Sequence, residues 1–170
     1  MKIIDNFLTQ QEHRAIKDIL LGRTFPWFYR DHKISNEVIE HRYDAQFVHM
    51  FYDRPNSSSS MTILSAIMKK LGNIELIRIK ANLTTCTPDK LIYGFHIDTE
   101  EHDATTAIYY VNTTNGPTMF YDGTSVDCLE NRMVLFDHKA IHSGISCTDS
   151  KSRCVVNFNF KIPGPTPVNE

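Results

Sequence analysis

The stretch that decides the fold runs from Ile74 to Ile162 and reads as a series of short apolar segments: IELIRIKANL (74–83), LIYGFHID (91–98), TTAIYYVN (105–112), TMFYD (118–122), RMVLFD (132–137) and CVVNFNFKI (154–162). Each is rich in β-branched and aromatic residues, and turn signals separate them, among them Asn115-Gly116-Pro117 and Asp122-Gly123. Roughly six to eight strands at a spacing of about 8–12 residues, with no helical pattern between them, predict a sandwich or barrel and disfavour a parallel βαβ arrangement. The expected form is a mainly β jelly roll, the double-stranded β-helix.

Working outward, the pattern before Gly72 has helical spacing. Thr9 followed by Glu12 fits a capping box, and QQEHRAIKDILL (10–21) carries Ile16, Ile19 and Leu20 on one face before Gly22. A second helix is predicted from the serine run Ser57–Ser60 through Ile63, Leu64, Ile67, Met68 and Leu71. Between them, residues 23–55 mix aromatics with charges; Ala45–Tyr52 reads as a strand and the remainder as loop. The organisation expected is one domain over 1–162, with a helical lead-in (1–72) supporting a barrel core (74–162), followed by a proline-rich tail (163–170).

Composition narrows the function classes. The 170 residues, 41% hydrophobic and 22% charged, suit one globular domain, and no apolar run is long enough to span a bilayer. Eighteen Lys and Arg against twenty Asp and Glu leave a net charge of −2, without the basic excess that nucleic-acid binding draws on. Cys86, Cys128, Cys147 and Cys154 show no close pair of the kind a zinc site uses, and the N-terminus lacks a secretion signal, so reduced thiols in the cytoplasm are expected.

Chemistry concentrates in a few polar residues of the β segments. His96 and Asp98 are two apart, which on a strand puts both on one face. His142 lies in IHSG after the RMVLFD segment, and Arg153 opens the last apolar segment. There Arg153, Val155 and Asn157 share one face, and Cys154, Val156, Phe158 and Phe160 share the other. Two imidazoles and one carboxylate suit a divalent iron and leave three adjacent coordination positions open. An arginine on the polar face of a barrel strand calls for an anion. A zinc hydrolase would need a general base that the sequence does not identify, and a non-catalytic metal-binding module would have no use for Arg153.

The ordered series His96-x-Asp98, T-x-I-Y-Y-V-N (106–112), N-G-P-T-M-F (115–120), R-M-V-L-F-D (132–137), I-H-S-G (141–144) and Arg153 resembles the iron(II)- and 2-oxoglutarate-dependent dioxygenase superfamily, most closely its prolyl 4-hydroxylase-like branch. The resemblance implies iron held by His96, Asp98 and His142, and 2-oxoglutarate with its far carboxylate on Arg153. Tyr110 would touch that cosubstrate, and Asn82 would stand where relatives place an Asn or Tyr beside it. Oxygen would be the second substrate, succinate and carbon dioxide the coproducts, and ascorbate a supporting reductant. Asp98 argues against the related halogenases, which carry a small residue there.

The remaining aromatic and histidine residues have blander expectations. Tyr109 would point out of the barrel, and Tyr93, of opposite parity to His96, would pack. His102 and His138 would be surface loop histidines. Phe25, Trp27, Phe28 and Tyr29 would form either part of a substrate lid or core packing. The resemblance points to a peptide or protein substrate, proline first, in an open groove walled by Thr24–Tyr43 and Thr99–Thr105. Trp27 and Tyr29 would grip the chain there, with Arg30 or Arg42 on its carbonyls. A free amino acid or other small molecule is the competing substrate.

Overall fold

Period-2 alternation pairs these segments into two antiparallel sheets. The computed structural model describes residues 1–33 and 43–164. Its elements are β1 (Lys2–Ile4), α1 (Gln10–Leu20), β2 (Phe28–Arg30), β3 (Gln46–Asp53), β4 (Asn56–Ser57), a 3-10 turn (Ser59–Leu64), α2 (Ser65–Leu71), β5 (Glu75–Thr85), β6 (Ala104–Tyr110), β7 (Thr114–Phe120), β8 (Ser125–Cys128), β9 (Arg132–Asp137), β10 (His142–Gly144) and β11 (Ser152–Lys161). The larger sheet runs β1-β9-β6-β11-β5-β3-β2, with β4 beside β3; the smaller runs β10-β7-β8.

The central strands of the large sheet are buried on both faces. Ala107, Tyr109, Met133, Cys154, Val156, Phe158 and Phe160 face the helices, where Ile16, Leu20, Leu64 and Ile67 complete the main core. Ile108, Tyr110, Val134, Phe136 and Val155 face the small sheet and meet Phe120, Val126 and Cys128. The two faces assigned to β11 from alternation are the two faces observed. Tyr109 does leave the barrel, and it enters the helix layer, fully buried.

Helix α1 starts with the capping box: Thr9 Oγ1 accepts from the Glu12 amide and the Glu12 carboxylate accepts from the Thr9 amide. Its buried face is His13, Ile16 and Leu20; Ile19, expected inside, is 43% exposed. Asn131, at φ +60°, ties the chain ahead of α1 to the end of β9: its side chain accepts from the Leu8 amide and donates to the Leu8 carbonyl, both at 2.8 Å. Tyr109 donates to the same Asn131 oxygen at 3.1 Å and lies 2.7 Å from His13 Nδ1. With the tyrosine proton committed to Asn131, His13 donates from Nδ1, and its buried Nε2 has no partner. Burial pulls the His13 pKa below its ordinary 6.5.

Four expectations are corrected. The lead-in is not purely helical, since β1 to β4 come before the barrel strands and three of them join the large sheet's path. The predicted second helix opens as the 3-10 turn, capped by Ser58, whose side chain accepts from the Ser60 amide, and becomes α-helical only at Ser65. Asn115-Gly116-Pro117 is no turn and lies inside β7 at a register shift. A Cβ at Gly116 would come within 2.5 Å of the Ile145 carbonyl oxygen, so the glycine serves close backbone approach, and the Asp122-Gly123 signal alone makes the β7–β8 turn, with Gly123 at φ +87°. Residues 91–98 form only two isolated bridges, Ile92 to Ile145 and His96 to His142. The tail from 165 onward lies outside the described residues.

The His13 arrangement gives the protein an acid-sensitive seam. Its folded pKa is below the unfolded one, so the stabilisation is complete above pH 6.5 and is lost as pH falls through the folded value. Urea denaturation should give lower stability at pH 5.5 than at pH 7.5, and His13→Leu should reduce that difference. Asn131→Ala should cost about 1–3 kcal/mol for each buried group it leaves unpaired, read as a lower urea midpoint.

Candidate functional site

The bridge between His96 and His142 builds the site. Their backbones exchange two hydrogen bonds, 3.0 and 2.9 Å, which bring the ring centroids to 4.9 Å. Each imidazole also sets its Nδ1 against a carbonyl, Gly94 at 3.1 Å and Ala140 at 3.0 Å. A carbonyl accepts only, so Nδ1 carries the proton and both Nε2 lone pairs are left for a ligand. Those two atoms lie 3.6 and 3.8 Å from the two oxygens of Asp98. The three residues form a group whose donor atoms all lie within 4.8 Å of one another and could hold a metal ion. The two shorter separations fall inside the roughly 4 Å span of two metal bonds of about 2.1 Å.

Asp98 is held ionised and oriented. Its side chain is only 4% exposed, so burial opposes the charge; the adjoining His96 and His142 imidazoles and the Arg78 guanidinium outweigh burial and hold its pKa well below the carboxylate range. Asn157 donates to one oxygen at 3.1 Å, and Arg78 reaches the other at 3.5 Å and the Asp98 carbonyl at 2.9 Å. Around His96, burial disfavours the imidazolium but Asp98 raises the pKa; at the more deeply enclosed His142 burial prevails and lowers it.

These three residues open onto a cavity of about 650 Å³ including its mouth, between the large sheet and the small one. Arg153 lies in its wall at 7% exposure, donating from Nε to the Gly116 carbonyl at 2.7 Å and from one terminal nitrogen to Thr118 Oγ1 at 2.9 Å. No carboxylate pairs with it among the described residues, and its other terminal nitrogen has no protein acceptor. Thr118 Oγ1 also accepts from Tyr110 at 2.8 Å, so its own proton is free for the cavity.

Asn82 lines the cavity, and its buried Oδ1 has no partner among the described residues. Tyr110 is fully buried between the sheets, with its ring centroid 5.7 Å from the Arg153 guanidinium carbon, and its hydroxyl reaches the Arg153 end of the cavity through Thr118. One expectation is corrected. Tyr93 does line the cavity, since the bridged segment around it does not keep strand parity; its hydroxyl is unpartnered and burial pushes its pKa up to about 12. Asn157 Oδ1 is likewise buried without a partner. Orphaned polar atoms from three residues around one cavity mark it as shaped for a polar occupant.

His102 is exposed as expected, whereas His138 is buried, with Nδ1 3.2 Å from the Ala104 carbonyl, and neither joins the group. Two cations went unforeseen, Lys33 and Lys80. Lys80 was within reach of sequence reasoning, since the parity that turns Asn82 inward turns Lys80 inward as well. Lys33 was not, because its ammonium is placed by the carbonyls of Tyr43 and Ala45 and stacks 3.5 Å over the Tyr93 ring.

No family model matches the sequence, and no curated protein matches it. The fold, by contrast, has many solved counterparts. A prolyl hydroxylase from Trichoplax adhaerens, in complex with a hypoxia-inducible factor oxygen degradation domain peptide fragment, superposes with a TM-score of 0.62 at 16% identity, covering 94% of this chain and 82% of that one. An oxidoreductase of the 2OG-Fe(II) oxygenase family from Burkholderia pseudomallei gives 0.68 at 12% identity, with the same two coverages. HygX from Streptomyces hygroscopicus, with nickel, 2-oxoglutarate and hygromycin B bound, gives 0.59 at 11% identity over 97% of this chain and 82% of its own. The chain therefore has the fold of the 2OG-Fe(II) oxygenases. Among the described residues no helix is long and apolar enough to cross a membrane.

A divalent ion bound by the histidine–aspartate group stabilises the folded state, by about 2.7 kcal/mol at a hundred times its Kd. Manganese(II) or zinc(II) should raise the melting temperature of the wild type, and Asp98→Ala should abolish the rise while keeping a folded circular dichroism spectrum.

Proposed function

We propose that the protein is an iron(II)- and 2-oxoglutarate-dependent dioxygenase of the prolyl 4-hydroxylase-like kind, on a double-stranded β-helix, that hydroxylates its substrate with release of succinate and carbon dioxide. The observation that carries this reading is Arg153: a buried guanidinium with no carboxylate partner among the described residues, in the same cavity as an open two-histidine, one-carboxylate set. Burying an unpaired charge is costly unless something else compensates it. A dicarboxylate cosubstrate would supply that compensation, with its far end on Arg153 and Thr118.

Iron fits the donor set: Nε2 of His96 and His142 and a carboxylate oxygen of Asp98 would hold it in the cavity. When bound it supplies oxygen activation coupled to oxidative decarboxylation of 2-oxoglutarate. The chain's own part is positioning. Gly94 and Ala140 fix the imidazole tautomers, and Asn157 and Arg78 orient Asp98. Tyr110 holds Thr118, and Gly116 gives Arg153 its anchor. Ile108 and Val155 line the cavity with apolar surface suited to a dicarboxylate's methylenes. Asn82 presents its amide to the same space.

The substrate favoured is a peptidyl or protein residue, with proline first. Support comes from the open cavity mouth and from the peptide bound in the Trichoplax neighbour; the hygromycin B bound in HygX keeps a small molecule as the second reading. The groove needs revision in its aromatics. Trp27 packs against Phe25 and donates to the Leu20 carbonyl, so it belongs to the core edge, while Phe28 and Tyr29 are 60% and 63% exposed. Arg42 lies outside the described residues.

Succinate release with iron(II), ascorbate and 2-oxoglutarate tests the reaction class. Arg153→Leu should weaken 2-oxoglutarate binding by roughly 2–5 kcal/mol, measured by calorimetry with zinc(II) in place of iron. Equal affinity in the two proteins would remove Arg153 from the site.

A further inference from the structure

The cavity holds one more charge than the cosubstrate reading uses. Arg153 is committed to Gly116 and Thr118, Arg78 to Asp98, and Lys33 to two backbone carbonyls. Lys80, on β5 and in the cavity wall, has no hydrogen-bond or ion-pair partner among the described residues.

Its position along the strand assigns it to the substrate end. In the β5–β11 register Thr84 faces Arg153, Asn82 faces Val155 and Lys80 faces Asn157, the residue that holds Asp98. Lys80 is thus four residues along β5 from the Arg153 end, roughly 13 Å at the rise of a strand. A five-carbon dicarboxylate anchored on Arg153 and reaching the metal group does not need it. Past Lys80 the same sheet face continues outward: Met50 pairs with Lys80, Val48 with Asn82 and Phe28 with Val48. Met50 and Phe28 are exposed, so the cation stands where the polar cavity becomes an apolar shelf.

We propose that Lys80 is a specificity residue that binds a carboxylate of the substrate, so that the protein hydroxylates carboxylate-bearing substrates whose apolar part rests on Phe28, Val48 and Met50. This rests on the oxygenase reading of the same cavity. Burial disfavours the ammonium and the guanidinium groups of Arg78 and Arg30 add to that, while the Asp98 carboxylate offsets only part of it; an arriving carboxylate relieves the remainder. The carboxylate can come from an acidic side chain of a peptide or from the α-carboxylate of a free amino acid, and the two sources are separable by experiment.

The test uses the full chain loaded with iron(II), as wild type, Lys80→Met and Lys80→Arg. Probes are end-blocked proline-containing peptides with Asp, Asn or Lys beside the proline, and free L-proline. Succinate formation above the uncoupled background should be stimulated by the Asp peptides or by free proline, and the Asn and Lys peptides should lag by tenfold or more in kcat/KM. Lys80→Met should lose at least tenfold on the stimulating probe and Lys80→Arg should recover most of it. Calorimetry with zinc(II) should give the same 2-oxoglutarate Kd in all three proteins, within about twofold. Stimulation by the Asp peptides alone assigns the carboxylate to a side chain, and by free proline alone to an α-carboxylate. Equal turnover of Asp, Asn and Lys peptides, no stimulation by any carboxylate-bearing probe, or weaker 2-oxoglutarate binding in Lys80→Met would each overturn the assignment. Absence of 2-oxoglutarate binding in the wild type would instead overturn the reading on which it rests.

Discussion

Everything in this molecule is referred to one strand that cannot have a wet side. β11 sits between β5 and β6, and from Arg153 to Phe160 it is buried without a break. Its Cys154, Val156, Phe158 and Phe160 face obeys the ordinary rule for a core. The other face carries Arg153, Asn157 and Asn159, and each of these must find partners or pay several kcal/mol for desolvation. Asn159 finds Thr106 at 3.1 Å, Asn157 finds Asp98, and Arg153 finds Gly116 and Thr118. The polar row of one central strand therefore fixes where the opposing sheet and the metal-ligand loop must come to rest.

The remaining imbalance is electrostatic. Lys33, Lys80 and Arg153 face one carboxylate, Asp98, inside a cavity where charges are poorly screened. A divalent cation alone would add to this excess, whereas a dicarboxylate arriving with it leaves the sum unchanged. The proposed pair of guests, a borderline divalent metal on the imidazoles and carboxylate and a dicarboxylate on Arg153, would fit this charge pattern.

How much of this was legible in the sequence depended on whether a residue's role was local. β11 could be read from alternation alone, because a strand buried on both faces keeps strict parity. His96, Asp98, His142 and Arg153 were legible because their order along the chain repeats a known pattern, and the structure brings all four to one cavity. Tyr93 turned toward the cavity against expectation, since residues 91–98 bridge rather than extend and parity fails there. The glycine at 116 looked like a turn because the constraint on it, the Ile145 carbonyl, is almost thirty residues away. Lys33 and His13 owe their surroundings to backbone carbonyls and a hydroxyl contributed by distant segments, which no window of sequence contains.

The reciprocal backbone hydrogen bonds between His96 and His142 carry a consequence for how the centre is assembled. In small zinc modules the metal organises the chain, and removing it dissolves the site. Here the spacing of the two imidazoles is written into a peptide bridge between the small sheet and the segment that follows β5, independently of any ion. Removing a metal held there would leave that spacing in place, so the site would refill without refolding.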